Sequence, residues 1–272
     1  MSSAIRRRLR TLLTLGPVVL GAVGLAVAGV ALARQVLPVA ALRESNEVVG
    51  SYLQTVGTIY AVLLAFVVYV VWSQYNDARL QVEREANELV DLHRTVRCLP
   101  ASIQAPVQGH LERYAELVVA EEWAAMAGRD EESIERIGRH LELAWTGLEG
   151  FEPVTRAHEA LYAEALSRFN DLSDVRTLRL TSARVRIPFA MKLLLCFGAI
   201  TTVASLGLFA VDSFAIHALM AGAVAGAVSH ILYLIADLDD CFAGDWQISP
   251  APFERARKLM ARTASDRGDA KQ

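Results

Sequence analysis

The chain has 272 residues, of which 53% are hydrophobic and only 21% charged, and its formal net charge is -3. Its mean hydropathy is +0.31, whereas soluble domains usually hold about 45–50% apolar residues. These values exclude a disordered or collagen-like chain, and without a general basic field they speak against a nucleic-acid binder.

Four stretches are long and apolar enough to cross a bilayer, which takes about 20 residues. The first, Leu12 to Ala33, is uncharged and rich in small residues such as Gly21, Gly24 and Ala28. Arg6, Arg7, Arg8 and Arg10 precede it like the start of a signal peptide. The apolar run is too long for that, so it reads as a retained helix. The second span covers Val48 to Trp72. No proline follows it before Pro100. It therefore continues as one helix, roughly 75 Å long at 1.5 Å per residue. The part beyond the membrane keeps a stripe of Val82, Ala86, Leu89, His93 and Val96 at heptad-like spacing.

Pro100 to Pro106 reads as a turn, and a helix then carries Val107, Leu111, Tyr114, Val118 and Ala125 on one face. Gly128-Arg129-Asp130 ends it. A shorter helix runs from Glu131 to Leu148, and Gly150 to Pro153 is the next break. A long helix from Val154 to Arg186 has Ala157, Leu161, Ala165, Phe169, Leu172 and Val175 along one face. Pro188 leads into span three, Phe189 to Val211, which forms a tight hairpin with span four, Phe214 to Ala236, turned at Asp212-Ser213. The tail from Ser265 to Gln272 reads as frayed.

The expected fold class is all-α: a polytopic membrane protein with four transmembrane helices and a helical cytoplasmic bundle continuous with spans two and three. The segments are 1–72, the bundle 73–186, the hairpin 187–236 and a cytoplasmic C-terminal segment 237–272. Basic residues mark the cytoplasmic side: the N-terminal arginines, Arg79 and Arg84, Arg184 and Arg186, and Arg255, Arg257 and Lys258. Both termini are therefore expected inside, in the bacterial inner membrane.

Residues for chemistry are few. There is no phosphate loop, nucleophile elbow or His-Glu-x-x-His zinc site, and Cys98, Cys196 and Cys241 lack metal-ligand spacing. The expectation is no enzyme, no catalytic residue, no cofactor and no metal. His217 and His230 lie within span four. Intramembrane ionisable residues suggest function, against the plainer reading of a neutral imidazole bonded to a backbone carbonyl. Asp237, Asp239, Asp240 and Asp245 bunch after span four. Such oxygens suit a hard cation or a gating role, but the spacing is no EF-hand loop and pairing with arginines is the simpler reading. Glu122 and Glu85 face the bundle and need partners; Arg94 and Arg97 are the candidates for Glu122. Gly222-Ala-Val-Ala-Gly226 allows close helix contact.

An ordered set of residues carries a resemblance. Tyr60, Phe66, Trp72-Ser-Gln-Tyr75, Ala78, Glu85-Ala86, Leu92-His-Arg94, Pro100, Tyr114 and Glu122-Trp123 come first. Arg179-Leu180, Pro188, His217, Leu238-Asp-Asp-Cys-Phe242-Ala-Gly244 and Ser249-Pro250 follow. The chain resembles the bacterial bestrophin-like family over about 46–256, with Cys241 where that family usually has a proline. The resemblance implies the bestrophin architecture: pentameric anion channels with four spans per subunit, an acidic calcium clasp after the last span, and a neck of bulky apolar residues on the second. Ungapped alignment of the Trp-x-Gln-Tyr run puts Gln54, Thr58 and Val62 at the neck, which are not such residues. Ile59, Leu63, Phe66 and Val70, on another face, are the pore-lining candidates. The expected function is a homo-oligomeric ion channel, its partners being the lipid bilayer, further copies and ions. The rival is a non-conducting scaffold or signalling protein whose bundle binds a soluble partner.

Overall fold

The computed structural model describes residues 3–37 and 39–269, and among these there are helices but no strands. The helices are α1 (Ser3–Val36), α2 (Val39–Arg43), α3 (Asn46–Val96), α4 (Ala101–Leu117), α5 (Trp123–Gly128), α6 (Glu131–Glu149), α7 (Arg156–Arg184), α8 (Phe189–Ser205), α9 (Phe214–Leu238) and α10 (Ala251–Asp269). A π-helical turn, Val118–Glu122, joins α4 to α5, and a 3-10 turn, Leu206–Leu208, ends α8. Four helical segments are long and apolar enough to span a membrane: Leu13–Val36, Asn46–Val96, Phe189–Leu208 and Phe214–Leu238. Of the tail expected to fray, α10 takes in residues through Asp269, and 270–272 lie outside the described residues.

The chain divides into two units. The first contains Met1–Ser73, Arg186–Asp240 and Gly244–Trp246. Here α1 lies along α9. Gly222 and Gly226 make this possible, since a Cβ on either would stand 3.2 Å and 3.4 Å from Val23. Gly21 and Gly24 of α1 face open space instead, so the close contact uses the glycines of only one partner. Tyr60 of α3 donates its hydroxyl to the Leu195 carbonyl at 3.0 Å, and Gly198 leaves room for its ring. Span three was expected to reach Val211, but helix ends at Leu208. Beyond it the backbone is held by side chains. Asn46 both donates to the Ala210 carbonyl (3.1 Å) and accepts from the Ala210 N–H (2.8 Å), and Arg34 donates to the carbonyls of Val211 (2.8 Å) and Asp212 (3.0 Å). Arg43 pairs with Asp212. The Ser213 hydroxyl caps α9 by accepting from the Ile216 N–H.

The second unit contains Gln74–Val185, Cys241–Ala243 and Gln247–Gln272. The stripe Val82, Ala86, Leu89, His93 and Val96 is buried here, together with Leu111, Ile137, Leu141, Leu148, Leu172, Phe253 and Met260. Pro106 makes no turn: it lies inside α4, where it forfeits one backbone hydrogen bond. Arg129, with φ of 58°, closes α5 in the left-handed conformation. Asp130 then caps α6 and Thr155 caps α7. The single helix expected across Val118 is interrupted by the π turn. Its extra residue turns both Glu122 and Trp123 inward, and such insertions recur at functional positions.

Candidate functional site

Within the first unit, α3 turns one face toward its own protomer. Tyr60, Leu64, Val67 and Val71 are buried at i, i+4, i+7 and i+11. By the 3.6-residue period the opposite face carries Thr55, Thr58, Val62, Ala65 and Tyr69, all of them exposed. Of the pore-lining candidates, Ile59 (66%) and Phe66 (59%) are exposed, while Leu63 and Val70 are half-buried against their own unit. They therefore flank the outermost face. The line Gln54, Thr58, Val62 is exposed throughout.

At the end of α9 each acidic residue has a protein partner. Asp239 is buried, accepts from the Ile187 N–H at 2.7 Å and pairs with Lys192 Nζ at 2.7 Å. Asp240 pairs with Arg186 at 2.7 Å. Asp237 accepts from the N–H groups of Asp245 (2.8 Å) and Trp246 (3.0 Å). Asp245 accepts from the hydroxyls of Thr14 (2.7 Å) and Tyr233 (2.8 Å). Gly244, with φ of 78°, brings its Cα against the Asp237 carboxylate. Among the described residues no group of three His, Cys, Asp or Glu side chains converges as a metal site. His217 is buried and its Nε2–H donates to the Leu206 carbonyl at 2.8 Å, the plain reading of that residue. His230 is exposed on α9.

The second unit encloses a four-charge network. Arg179 donates through Nε to Glu85 (2.6 Å) and through Nη2 to both Glu85 (3.1 Å) and Glu122 (2.7 Å). Arg176 donates to Glu122 at 2.6 Å and to the Ile134 carbonyl at 3.1 Å. The Tyr114 hydroxyl donates to Glu85. Arg179 lies 5.5 Å from the Trp123 ring and 5.6 Å from that of Phe253. Burial would lower the guanidinium pKa of Arg179, but Glu85 and Glu122 win and raise it well above its ordinary value. Burial likewise raises the Tyr114 phenol, with Glu85 adding to it. With two carboxylates against two guanidinium groups the network is electrically neutral.

Arg94 is not part of it. Arg94 is exposed beside Asp91, whereas Glu85 and Leu89 lie on the buried face of α3. The true partners, Arg176 and Arg179, were missed in the sequence. Their signal was present: with Ala183 they continue the 4-3-4-3 spacing of Ala165, Phe169 and Leu172, two arginines in phase with an apolar stripe.

His93 is also buried, and its Nε2–H donates to Glu112 at 3.1 Å. Its Nδ1 is buried without a partner, so a second proton there would find no acceptor. Burial thus holds its pKa below the ordinary 6.5, against the opposing pull of Glu112.

Four apolar spans, with an all-helical fold, define a multi-span membrane protein. A model of the bestrophin-like domain matches residues 20–253, and the chain belongs to the bestrophin-like family. Solved structures agree on the fold. A point variant of a bacterial bestrophin homologue from Klebsiella pneumoniae superposes with a TM-score of 0.69 at 16% identity, covering 89% of this chain and 99% of that one. A second variant from that organism gives 0.67 at 17% identity, covering 90% and 98%. A further structure of a bacterial bestrophin homologue from that organism gives 0.63 at 16%, covering 89% and 96%. No curated protein matches the chain in sequence.

Proposed function

We propose that the chain assembles as a homo-oligomeric ion channel, pentameric by its family resemblance, with the N-terminal half of α3 lining the pore. The observation that carries this reading is the exposed α3 face opposite Tyr60, Leu64, Val67 and Val71. Around a symmetry axis each copy presents the same face. Thr58 and Val62 then stand nearest the axis, Ile59 and Phe66 flank them, and Leu63 and Val70 support the wall from behind. A ring of Val62 and Phe66 is an apolar constriction of the kind that gates by dewetting. The basic residues orient both termini toward the cytoplasm of the bacterial inner membrane. No enzymatic role is invoked. Asp237, Asp239, Asp240 and Asp245 act in this reading as ties at the end of α9 rather than as a cation clasp, because each already has a protein partner.

Native mass spectrometry in nanodiscs, followed by ion flux from liposomes, tests this. A discrete pentamer whose flux rises with Val62→Ala is expected; a monomer without flux at any pH or calcium level overturns it. The rival, a non-conducting scaffold, is favoured by one feature. A groove of about 950 Å³ in the second unit runs between α4 and α10 and is lined by Arg113, Glu116, Arg257 and Lys258. A monomer that co-purifies stoichiometrically with one soluble protein is the outcome that selects this reading.

A further inference from the structure

The membrane unit holds a cleft that the pore reading leaves unused. It lies between the C-terminal half of α1, the C-terminal half of α8 with its 3-10 turn, and the middle of α9, and its volume is about 440 Å³. The buried Ala26, Val30, Gly207 and Ala225 form its floor, and the exposed Leu25, Gly29, Ile200, Ala204 and Leu208 stand at its rim. No charged side chain lines it, and the one polar side chain, Ser229, spends its hydroxyl on the Gly226 carbonyl at 3.1 Å. The backbone around it is helical and internally paired. Water needs two to four polar partners to remain in such a place, and the lining does not supply them.

The rim settles what is available instead. Leu25, Ile200 and Leu208 are exposed apolar side chains on membrane-spanning segments, so the cleft opens onto the apolar surface of the spans. At ~30 Å³ for a group the size of a water molecule, a volume of about 440 Å³ equals about fifteen such groups, the content of one fatty-acyl chain. We propose that the cleft is a binding site for an acyl chain of a bilayer phospholipid. Acyl tails are as apolar as leucine, so no hydrophobic gain drives the binding. The chain stays because it restores dispersion contacts along the floor that an empty cleft would lose. Selection is therefore by chain shape and not by headgroup charge.

The test uses the full chain in nanodiscs of phosphatidylethanolamine and phosphatidylglycerol carrying a trace of either phospholipid with a photoactivatable diazirine in one acyl chain. After illumination, peptide mapping is expected to place adducts on residues 22–33 and 199–208, equally for both headgroups. Gly29→Leu puts a bulky side chain into the mouth of the cleft at a position where a Cβ meets nothing within 4 Å. It should lower labelling of the cleft on the order of tenfold, equivalent to ~1.4 kcal/mol. Gly21→Leu is the control: its Cβ is equally unobstructed, it lies outside the cleft, and labelling should persist. Adducts spread evenly over the four spans, or equal labelling in the two variants, overturn the proposal. So does a disulfide between copies through Ile200→Cys, which would make a second copy the occupant. None of these readouts depends on ion conduction.

Discussion

Glu85 and Glu122 lie fully enclosed in the second unit, whereas Asp237, Asp239, Asp240 and Asp245 gather at a helix end in the first. Both sets of carboxylates have protein partners, but of different kinds. The enclosed pair shares Arg179, while Arg176 pairs with Glu122 alone, so losing Arg179 strands both carboxylates at once. The four aspartates have separate partners, backbone N–H groups, hydroxyls or a single cation, so each can be altered with a local effect. The difference follows from sharing: charges that share one counter-ion in a low-dielectric core need a complete network, while each carboxylate at the α9 edge, the buried Asp239 and Asp245 included, is held by partners of its own.

The largest effect expected from this contrast is at Arg179. Arg179→Met leaves Glu85 buried with the Tyr114 hydroxyl but no counter-charge and Glu122 with only Arg176, and should cost about 3–5 kcal/mol, read as a collapse of the thermal transition of the purified full chain. A loss under ~1 kcal/mol would mean the enclosed network is no more demanding than an edge pair.

Next comes Gly244→Ala. The positive φ already disfavours any L side chain by ~1–2 kcal/mol, and the new methyl would strike the Asp237 carboxylate. A drop of that size, with the tryptophan emission of Trp246 shifted, is the expected result. Unchanged stability would show that Asp237 need not hold this turn.

Asp239→Asn should be milder. The amide oxygen still accepts from the Ile187 N–H, and only the charge-assisted bond from the half-exposed Lys192 to the buried carboxylate is lost, worth about 1.5 kcal/mol. If it proves as damaging as Arg179→Met, the distinction between enclosed and edge charges fails.

Acid should weaken the bundle through His93. Because its folded pKa lies below the unfolded value of about 6.5, the neutral form stabilises the fold. That contribution is complete above pH ~6.5 and is lost as pH falls through the lowered folded value. His93→Gln should flatten the stability profile of the full chain between pH 7 and 5; an unchanged slope would assign the acid sensitivity elsewhere.

The smallest expected effect is that of calcium. Adding the ion or chelating it should leave the melting temperature unmoved, since the aspartates have protein partners; a calcium-dependent rise would restore a cation clasp as their role.

Much of this protein is written locally. Uninterrupted apolar runs define the four spans because a bilayer accepts only helix at such length. The buried stripe from Val82 to Val96 follows from period alone, and so does the inward direction of Glu85. Three features needed the tertiary structure. The π turn at Val118–Glu122 arises because α4 and α5 must present Glu122 and Trp123 together, which no local propensity announces. The choice of Arg176 and Arg179 over Arg94 depends on which helix faces lie across from Glu122, and period fixes a residue's own face but not its neighbour. The α3 face left uncovered was likewise decided by packing, since Ile59 and Val62 are equally apolar and only the burial of Tyr60 and its companions distinguishes them. Periodicity is a property of one helix, whereas pairing and exposure belong to the spaces between helices.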